Sequence, residues 1–231
     1  MTKGIFIAGH DSALLNAIEA EAAKRVERYA FASIQNRFSE KKEKPSGVAA
    51  GLKSTLEKTR IRVDWNPGSP VSTRALFLEA ENSLGHIDEA ILVCSPPSVF
   101  CAAADLKPAD IEVLAHDHFK SWLFLTRELI VNFKTREQGA LILVYPEAGE
   151  AKGKDNTTAD ILGSVATASF RVLTNRLLAE APDEAYFAQG FTGGETGDET
   201  DFADFIFKQL DEGKRKSNGK LHKFKKAGLF K

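Results

Sequence analysis

The 231-residue chain is poor in cysteine and has no long hydrophobic run. Its two cysteines, Cys94 and Cys101, cannot form the disulfide framework of a small secreted domain, so we expect free thiols in a reducing compartment. No apolar stretch approaches the ~20 residues that span a bilayer, and the first residues lack the apolar core of a secretion signal. The sequence therefore predicts a soluble cytoplasmic protein without a membrane span.

Acidic residues are absent from the last part of the chain. From Gly213 onward there are eight lysines and arginines and no Asp or Glu, although the whole chain has a net charge of −1. This basic C-terminal segment, residues 214–226, is a candidate surface for nucleic acid or another anionic partner. Lysines also protect the edge strand of a sheet, and we favour that second interpretation.

Segments with strand and helix patterns alternate along the chain without a change in composition. Residues Ala140–Tyr145 are continuously apolar, as expected for a strand buried on both faces of a parallel sheet. Residues 161–180 carry apolar side chains at helical spacing. A longer helix is predicted over residues 109–133 and a sixth strand over residues 185–188. The pattern predicts one α/β domain over residues 1–231, a doubly wound parallel sheet of about seven strands with helices on both faces.

Four short sequences resemble a known family. They are NSLGHIDEAILV at 82–93, Asp105-Leu106 with Asp110, LTNRLLAE at 173–180, and NGKL at 218–221. In this order and spacing they resemble the short-chain dehydrogenase/reductases, and the resemblance covers nearly the whole chain. It implies a Rossmann-like fold, NAD or NADP as the cofactor of active members, and subunits paired through two helices.

The family's phosphate-binding loop, TGxxxGxG, is poorly matched in this chain. Only Gly9 remains as a glycine, and Ala13 and Leu15 stand where glycines let the pyrophosphate and the strand approach the backbone. Asp11 adds a negative charge beside the phosphates. The loop therefore predicts weak or no binding of NAD(H) and NADP(H).

Three residues remain as vestigial cofactor contacts on the strength of the resemblance. Gly9 and Ser12 belong to the loop, and Ser12 is also a candidate helix cap. Asp64 matches the acid that contacts adenine in many members of the family. A capping role for Asp64 in the turn that follows it explains the residue equally well.

The family's catalytic residues are also replaced. The tyrosine and lysine positions hold Gly163 and Thr167, the serine position holds Pro146, and the asparagine position falls at about His118. Because these residues cannot form the family's proton-transfer set, we expect no catalytic residue and no cofactor. The sequence then predicts an inactive relative that serves as an oligomeric scaffold or interaction protein. The alternative is an NAD(P)-dependent oxidoreductase in which His118 or Tyr145 has taken over catalysis.

The sequence His116-Asp117-His118 suggests a metal site, but the spacing argues against it. Residues two apart on a helix face different sides, so the two imidazoles should diverge. We therefore predict no metal.

The helix at 109–133 carries apolar side chains on more than one face. Trp122, Phe124 and Leu125 cannot all face the sheet together with the other large side chains of this helix. We predict a homodimer or homotetramer joined through helices 109–133 and 161–180. The second helix offers small residues for the close approach of a partner: Gly163, Ala166 and Ala168.

Overall fold

The structure is a computed structural model, and it describes residues 3–26, 28–35, 37, 60–63, 65–147, 159–193, 199–212 and 217–224. Asp64 and five of the seven basic residues of the C-terminal segment lie outside the described residues. In the described part, helices follow strands in a regular order. The helices are α1 (Ala13–Ala23), α2 (Pro70–Leu84), α3 (Pro108–Val113), α4 (Ser121–Arg136), α5 (Ile161–Glu180) and α6 (Glu199–Glu212). The strands are β1 (Ile5–His10), β2 (Tyr29–Ile34), β3 (Arg60–Arg62), β4 (Glu89–Val93), β5 (Phe100–Cys101), β6 (Ala140–Pro146), β7 (Ala159–Asp160), β8 (Phe187–Gly193) and β9 (Lys220–Phe224).

Seven of these strands form one sheet in the order β3-β2-β1-β4-β6-β8-β9, and every neighbouring pair is parallel. The two short strands β5 and β7 pair antiparallel in a separate ribbon. The predicted α/β fold with about seven parallel strands is confirmed. Because all main strands run in one direction, their carboxyl ends lie along one edge of the sheet, where ligands bind in folds of this type.

Two apolar cores cover the two faces of the sheet. Successive residues of a strand point to opposite faces, so Phe6 and Ala8 belong to the core beneath α2, α4 and α5. Ile5 and Ile7 belong to the core beneath α1 and α6. Side chains buried on both faces explain why the central strands are continuously apolar.

The long predicted helix at 109–133 is interrupted. The structure shows α3, then a π-helical segment at Leu114–Lys120, then α4. A π turn holds one residue more than an α turn and changes which side chains face inward. As a result, the adjacent residues Asp117 and His118 are both buried, which a regular helix face does not predict.

The predicted sixth strand at 185–188 is wrong in its position. The observed strand, β8, runs from Phe187 to Gly193. A Cβ on Gly190 would lie 2.8 Å from Leu221 Cδ1 and 2.9 Å from Leu178 Cδ1. Gly190 is therefore a close-packing residue inside the strand, two residues beyond the end of the predicted one.

The described part of the basic C-terminal segment lies at the edge of the sheet. Lys220 and Lys223 are on β9, the last strand of the order. Lys223 pairs with Glu147 at 3.2 Å. This placement is the one expected of lysines that protect an edge strand. None of the helices in the described ranges is long and apolar enough to cross a membrane.

Candidate functional site

A crevice lies where β1 and β4 end side by side. The order of the sheet reverses at this point, because β1 is followed by β2 on one side and by β4 on the other, and such a switch point is where α/β sheets bind ligands. Helix α1 begins there, and its cap residue Ser12 accepts a hydrogen bond from the backbone N–H of Leu15 at 3.2 Å. The residues that border this nucleotide crevice are Gly9, His10, Asp11, Ser12 and Ser95.

The segment that leads from β1 into α1 is closely packed at Gly9. A Cβ on Gly9 would lie 2.6 Å from the carbonyl oxygen of Val93 and 2.9 Å from Leu15 Cδ1. Leu15 is fully buried in the core beneath α1, so its side chain points to the sheet and not to a phosphate. Ala13 and Asp11 are exposed. The sequence predicts that Asp11, Ala13 and Leu15 oppose phosphate binding. Of these, only the charge of Asp11 and the methyl group of Ala13 are at the surface.

Two buried histidines lie at the floor of the crevice. His10 and His118 are 1% and 0% exposed. His10 Nε2 lies 2.5 Å from His118 Nδ1, and the two rings stack with their centroids 4.5 Å apart. Trp122 packs edge-on against His10 at 5.3 Å and against Phe170 at 4.9 Å. We call this contact the histidine pair.

The hydrogen bonds of the histidine pair define its tautomers. The backbone N–H of Ser95 donates to His10 Nδ1 at 3.0 Å, so that nitrogen carries no proton. A neutral His10 then carries its proton on Nε2 and donates it to His118 Nδ1. Burial and the neighbouring His118 hold the pKa of His10 well below its ordinary value. Burial lowers the pKa of His118 to about 4, although the charge of Asp117 acts in the opposite direction.

The π-helical segment also connects to the end of β2. Arg37 Nε donates to Asp117 Oδ2 at 2.6 Å, and its second nitrogen contacts Asp117 Oδ1. Asp117 is fully buried, so the arginine compensates a charge that is otherwise costly to bury. His116 is exposed near Glu112, so it diverges from His118 as the spacing predicts. Within the described ranges, no three His, Cys, Asp or Glu side chains cluster as metal ligands.

The start of α5 explains why the family's tyrosine position holds a glycine. A Cβ on Gly163 would lie 2.3 Å from Asp160 Oδ2. Asp160 caps α5 by accepting the Gly163 N–H at 2.9 Å, and it also accepts the Val99 N–H at 3.0 Å. The ribbon of β5 and β7 brings these two backbone groups together. A side chain at position 163 is therefore excluded by the cap that joins α5 to the loop after β4.

A cavity of about 310 Å³ opens beside α5 at the carboxyl ends of β6, β8 and β9. Most of its lining residues are polar or charged. They are Tyr145, Pro146, Glu147, Ser164, Thr167, Ala168, Arg171, Asn175, Thr192, Leu221 and Lys223. We call it the α5 cavity. It includes Thr167 and Pro146, to which the resemblance assigns the family's lysine and serine positions, but it does not include His118.

A second cavity of about 330 Å³ lies at the other end of the crevice, near the end of β2. Its lining residues are Arg37, Asn66, Glu112, Val113 and His116. Asn66 is two residues beyond Asp64 in the sequence, and Asp64, the predicted adenine contact, lies outside the described residues.

Sequence reasoning missed His10, Asp160 and Arg171. His10 is the last residue of β1, two positions beyond Ala8 on the same face of the sheet. The sequence did contain a signal for Arg171. Its spacing from Ser164, Ala168 and Asn175 places these four residues on one face of the predicted helix. No signal in the sequence indicated that His10 and His118, 108 residues apart, would touch.

We predict that the histidine pair makes the fold sensitive to acid. The folded pKa of each ring is lower than the unfolded value of about 6.5, so the unfolded chain takes up more protons as the pH falls. The neutral histidines therefore contribute their full stabilisation above about pH 6.5. As the pH falls towards 4, the free energy of unfolding decreases by up to about 1.4 kcal/mol per pH unit for each histidine. Urea unfolding between pH 7.5 and 4.5 measures this slope.

The variant His10→Asn tests the origin of the slope. Asparagine keeps an acceptor for the Ser95 N–H but cannot titrate. The dependence of the free energy of unfolding on pH should therefore decrease by about the contribution of one histidine. His86→Asn changes an exposed histidine outside the pair and serves as the control. An unchanged slope in His10→Asn would show that the pair is not the source.

This chain is similar to known proteins at the level of the fold. No protein-family model matches the chain, and no curated protein matches it significantly. Among solved structures, ElxO with NADP bound has a TM-score of 0.71 at 14% identity, and the match covers 96% of this chain and 97% of that one. Levodione reductase has a TM-score of 0.72 at 11% identity, over 96% and 95%. A short-chain dehydrogenase/reductase from Serratia marcescens has 0.67 at 11% identity, over 96% of each chain.

These neighbours correct two predictions. The expectation of an inactive scaffold is contradicted, because the similar structures are named as dehydrogenases and reductases. The expectation of no cofactor is contradicted as well, since ElxO was solved with NADP and a variant of it with NADPH. The predictions were wrong because they treated the loss of motif residues as the loss of the function, whereas the fold of the cofactor-binding neighbours is retained over nearly the whole chain. The chain has the fold of the short-chain dehydrogenase/reductases.

Proposed function

We propose that this protein is an NADP(H)-dependent oxidoreductase in which Tyr145 donates the proton. One observation carries the proposal: the Tyr145 side chain lines a polar cavity that opens at the edge of the sheet where the nucleotide crevice lies. His118, the other residue considered from the sequence, is fully buried against His10. It therefore supports the crevice but does not line the cavity.

The residues of the crevice fit a dinucleotide. The N-terminus of α1 presents backbone N–H groups and a positive dipole to a pyrophosphate, next to Gly9 and the cap residue Ser12. Asp64 keeps the position of the adenine contact in this proposal. In dinucleotide folds, an acid at the end of the second strand favours NAD, while arginine favours the phosphate of NADP. Here residues 33–37 read Ser-Ile-Gln-Asn-Arg. The absence of an acid favours NADP over NAD, although the one arginine of this stretch, Arg37, is paired with Asp117.

The α5 cavity supplies the groups that act on a carbonyl substrate. A bound NADPH supplies the hydride that reaches the carbonyl carbon. The Tyr145 hydroxyl donates a proton to the carbonyl oxygen, so that the product is an alcohol and the tyrosinate takes its proton back from solvent. Burial raises the pKa of Tyr145, and the charge of Arg171 acts in the opposite direction. The hydroxyl is therefore protonated at neutral pH and ready to act as an acid.

Replacing Tyr145 by Phe tests this assignment. The variant removes the hydroxyl and keeps the ring that packs near Phe170 at 6.2 Å. We expect the rate of NADPH-dependent carbonyl reduction to fall by about 10²–10⁴-fold, the usual contribution of general acid catalysis, with NADPH affinity unchanged. Absorbance of NADPH at saturating cofactor measures the rate.

Tyr186→Phe is the matched control. Tyr186 is also buried, but it precedes β8 and does not line the cavity. Its loss should leave the rate unaltered. If both variants retain full activity, Tyr145 is not the proton donor.

The surface of α4 and α5 supports an oligomer. Five large apolar side chains on this surface are about half exposed: Phe119, Leu123, Val131, Val165 and Val172. Such a patch is uncommon on a soluble monomer. We propose that a second subunit covers it. The two unpaired cysteines, Cys94 and Cys101, fit the reducing environment of the cytoplasm.

The residues that form this surface differ from those first expected. Trp122 is 1% exposed and packs on His10 and Phe170, because it belongs to the inward stripe of α4 with Leu125. Gly163 and Ala166 are buried within the subunit, so they do not provide close approach for a partner helix.

We predict that Leu123→Glu shifts the protein towards monomer. Leu123 is 44% exposed on α4, and a buried charge in the contact would be costly. Leu78→Glu provides the control, because Leu78 is similarly exposed, at 40%, on α2. Light scattering at micromolar concentration distinguishes the outcomes. A monomeric unmodified protein would contradict the proposed oligomer.

A further inference from the structure

The charges of the α5 cavity select the kind of ligand that it can hold. Lys223 from β9 pairs with Glu147, which follows β6, at 3.2 Å. Arg171 from α5 also lines the cavity, and among the residues that the structure describes it forms no ion pair. The lining therefore presents one uncompensated positive charge. A single guanidinium matches a ligand with a single negative charge, and a doubly charged phosphate would remain half neutralised.

Arginine is also the side chain whose geometry suits a carboxylate. Its planar fork donates two parallel hydrogen bonds to the two oxygens of a carboxyl group. Arg171 is exposed at the mouth of the cavity, so its charge needs no ligand for solvation. A ligand would enter from solvent and bind Arg171 through its carboxylate, with its carbon chain directed into the cavity.

The wall of the cavity contains a polar group that lacks a partner. Thr192 is 2% exposed, and its Oγ1 has no hydrogen-bond partner among the described residues. That oxygen is itself inaccessible from the cavity, so Thr192 contributes to the shape of the wall and does not offer a hydrogen bond to a ligand. Thr192 and Tyr145 come from the ends of adjacent strands, in register with one another. Both residues line the sheet side of the cavity, and Arg171 lines the helix side.

We infer that the α5 cavity binds a small oxo acid, with its carboxylate on Arg171 and its carbonyl group towards Tyr145. The cavity volume of about 310 Å³ is at the lower end of ligand sites, which restricts the ligand to a short chain. Calling this ligand the substrate rests on the proposed function. The binding of the carboxylate by Arg171 does not.

The test compares 4-oxopentanoate with its methyl ester, which has the same ketone and no charge. Ligand-observed NMR titrations give the dissociation constants for the unmodified protein, for Arg171→Gln and for Arg176→Gln. Arg176 is an exposed arginine on the same helix that does not line the cavity. We expect the acid to bind at least tenfold more tightly than the ester, and Arg171→Gln to remove that difference while Arg176→Gln keeps it.

Two results would overturn the inference. One is equal binding of the acid and the ester by the unmodified protein, including the absence of binding of either. The other is a loss of acid binding that is the same in both arginine variants, which would indicate a general charge effect. Oxidation of NADPH by the same acid separates the two proposals. If Arg171-dependent binding occurs without NADPH oxidation, the binding inference holds and the proposed reaction fails.

Discussion

The buried contact between His10 and His118 holds together the segments that border the nucleotide crevice. His10 ends β1 and accepts the N–H of Ser95, which follows β4, and His118 belongs to the π-helical segment before α4. The pair can make these contacts only while both rings are neutral, because a proton on His10 Nδ1 would oppose the Ser95 N–H. The geometry of the crevice therefore depends on two uncharged imidazoles that are kept neutral by burial.

A second constraint acts at the start of α5 and shifts the chemistry away from the family's usual position. The carboxylate of Asp160 caps the helix and fills the space that a side chain at Gly163 would need. Polar side chains are instead concentrated further along α5 and at the ends of β6 and β8. In the proposed function, the groups that reach a substrate are Tyr145 and Arg171, which line the α5 cavity.

The sequence predicted the fold well because the fold depends on patterns that are local. The apolar run of β6 and the helical spacing of residues 161–180 were sufficient to identify their elements. The end of β8 was missed because Gly190 serves a tertiary contact with Leu178 and Leu221. The π-helical segment was missed because its residues have no special composition. It is visible only in the burial of both Asp117 and His118.

The candidate site was less predictable for a physical reason. Motif comparison asks which residue stands at a known position, and at Gly163, Thr167 and Pro146 the answer was negative. The structure shows that the space around these positions is lined by other residues, contributed by three strands and one helix. Such a convergence depends on packing, and single-sequence reasoning cannot derive it. Under the proposed function, the absence of motif residues reflects a changed site and not a missing one.

The central claim is that a dinucleotide occupies the crevice at the N-terminus of α1. Fluorescence titration with NADPH tests it most directly, on the unmodified protein and on Asp11→Asn, which removes the exposed negative charge beside the helix N-terminus. The matched control is Glu79→Gln, an exposed acid on α2. The account predicts micromolar binding of NADPH, weaker binding of NADH, and tighter binding of NADPH by Asp11→Asn alone. Absence of NADPH binding at millimolar concentration, or equal effects of the two substitutions, would contradict it.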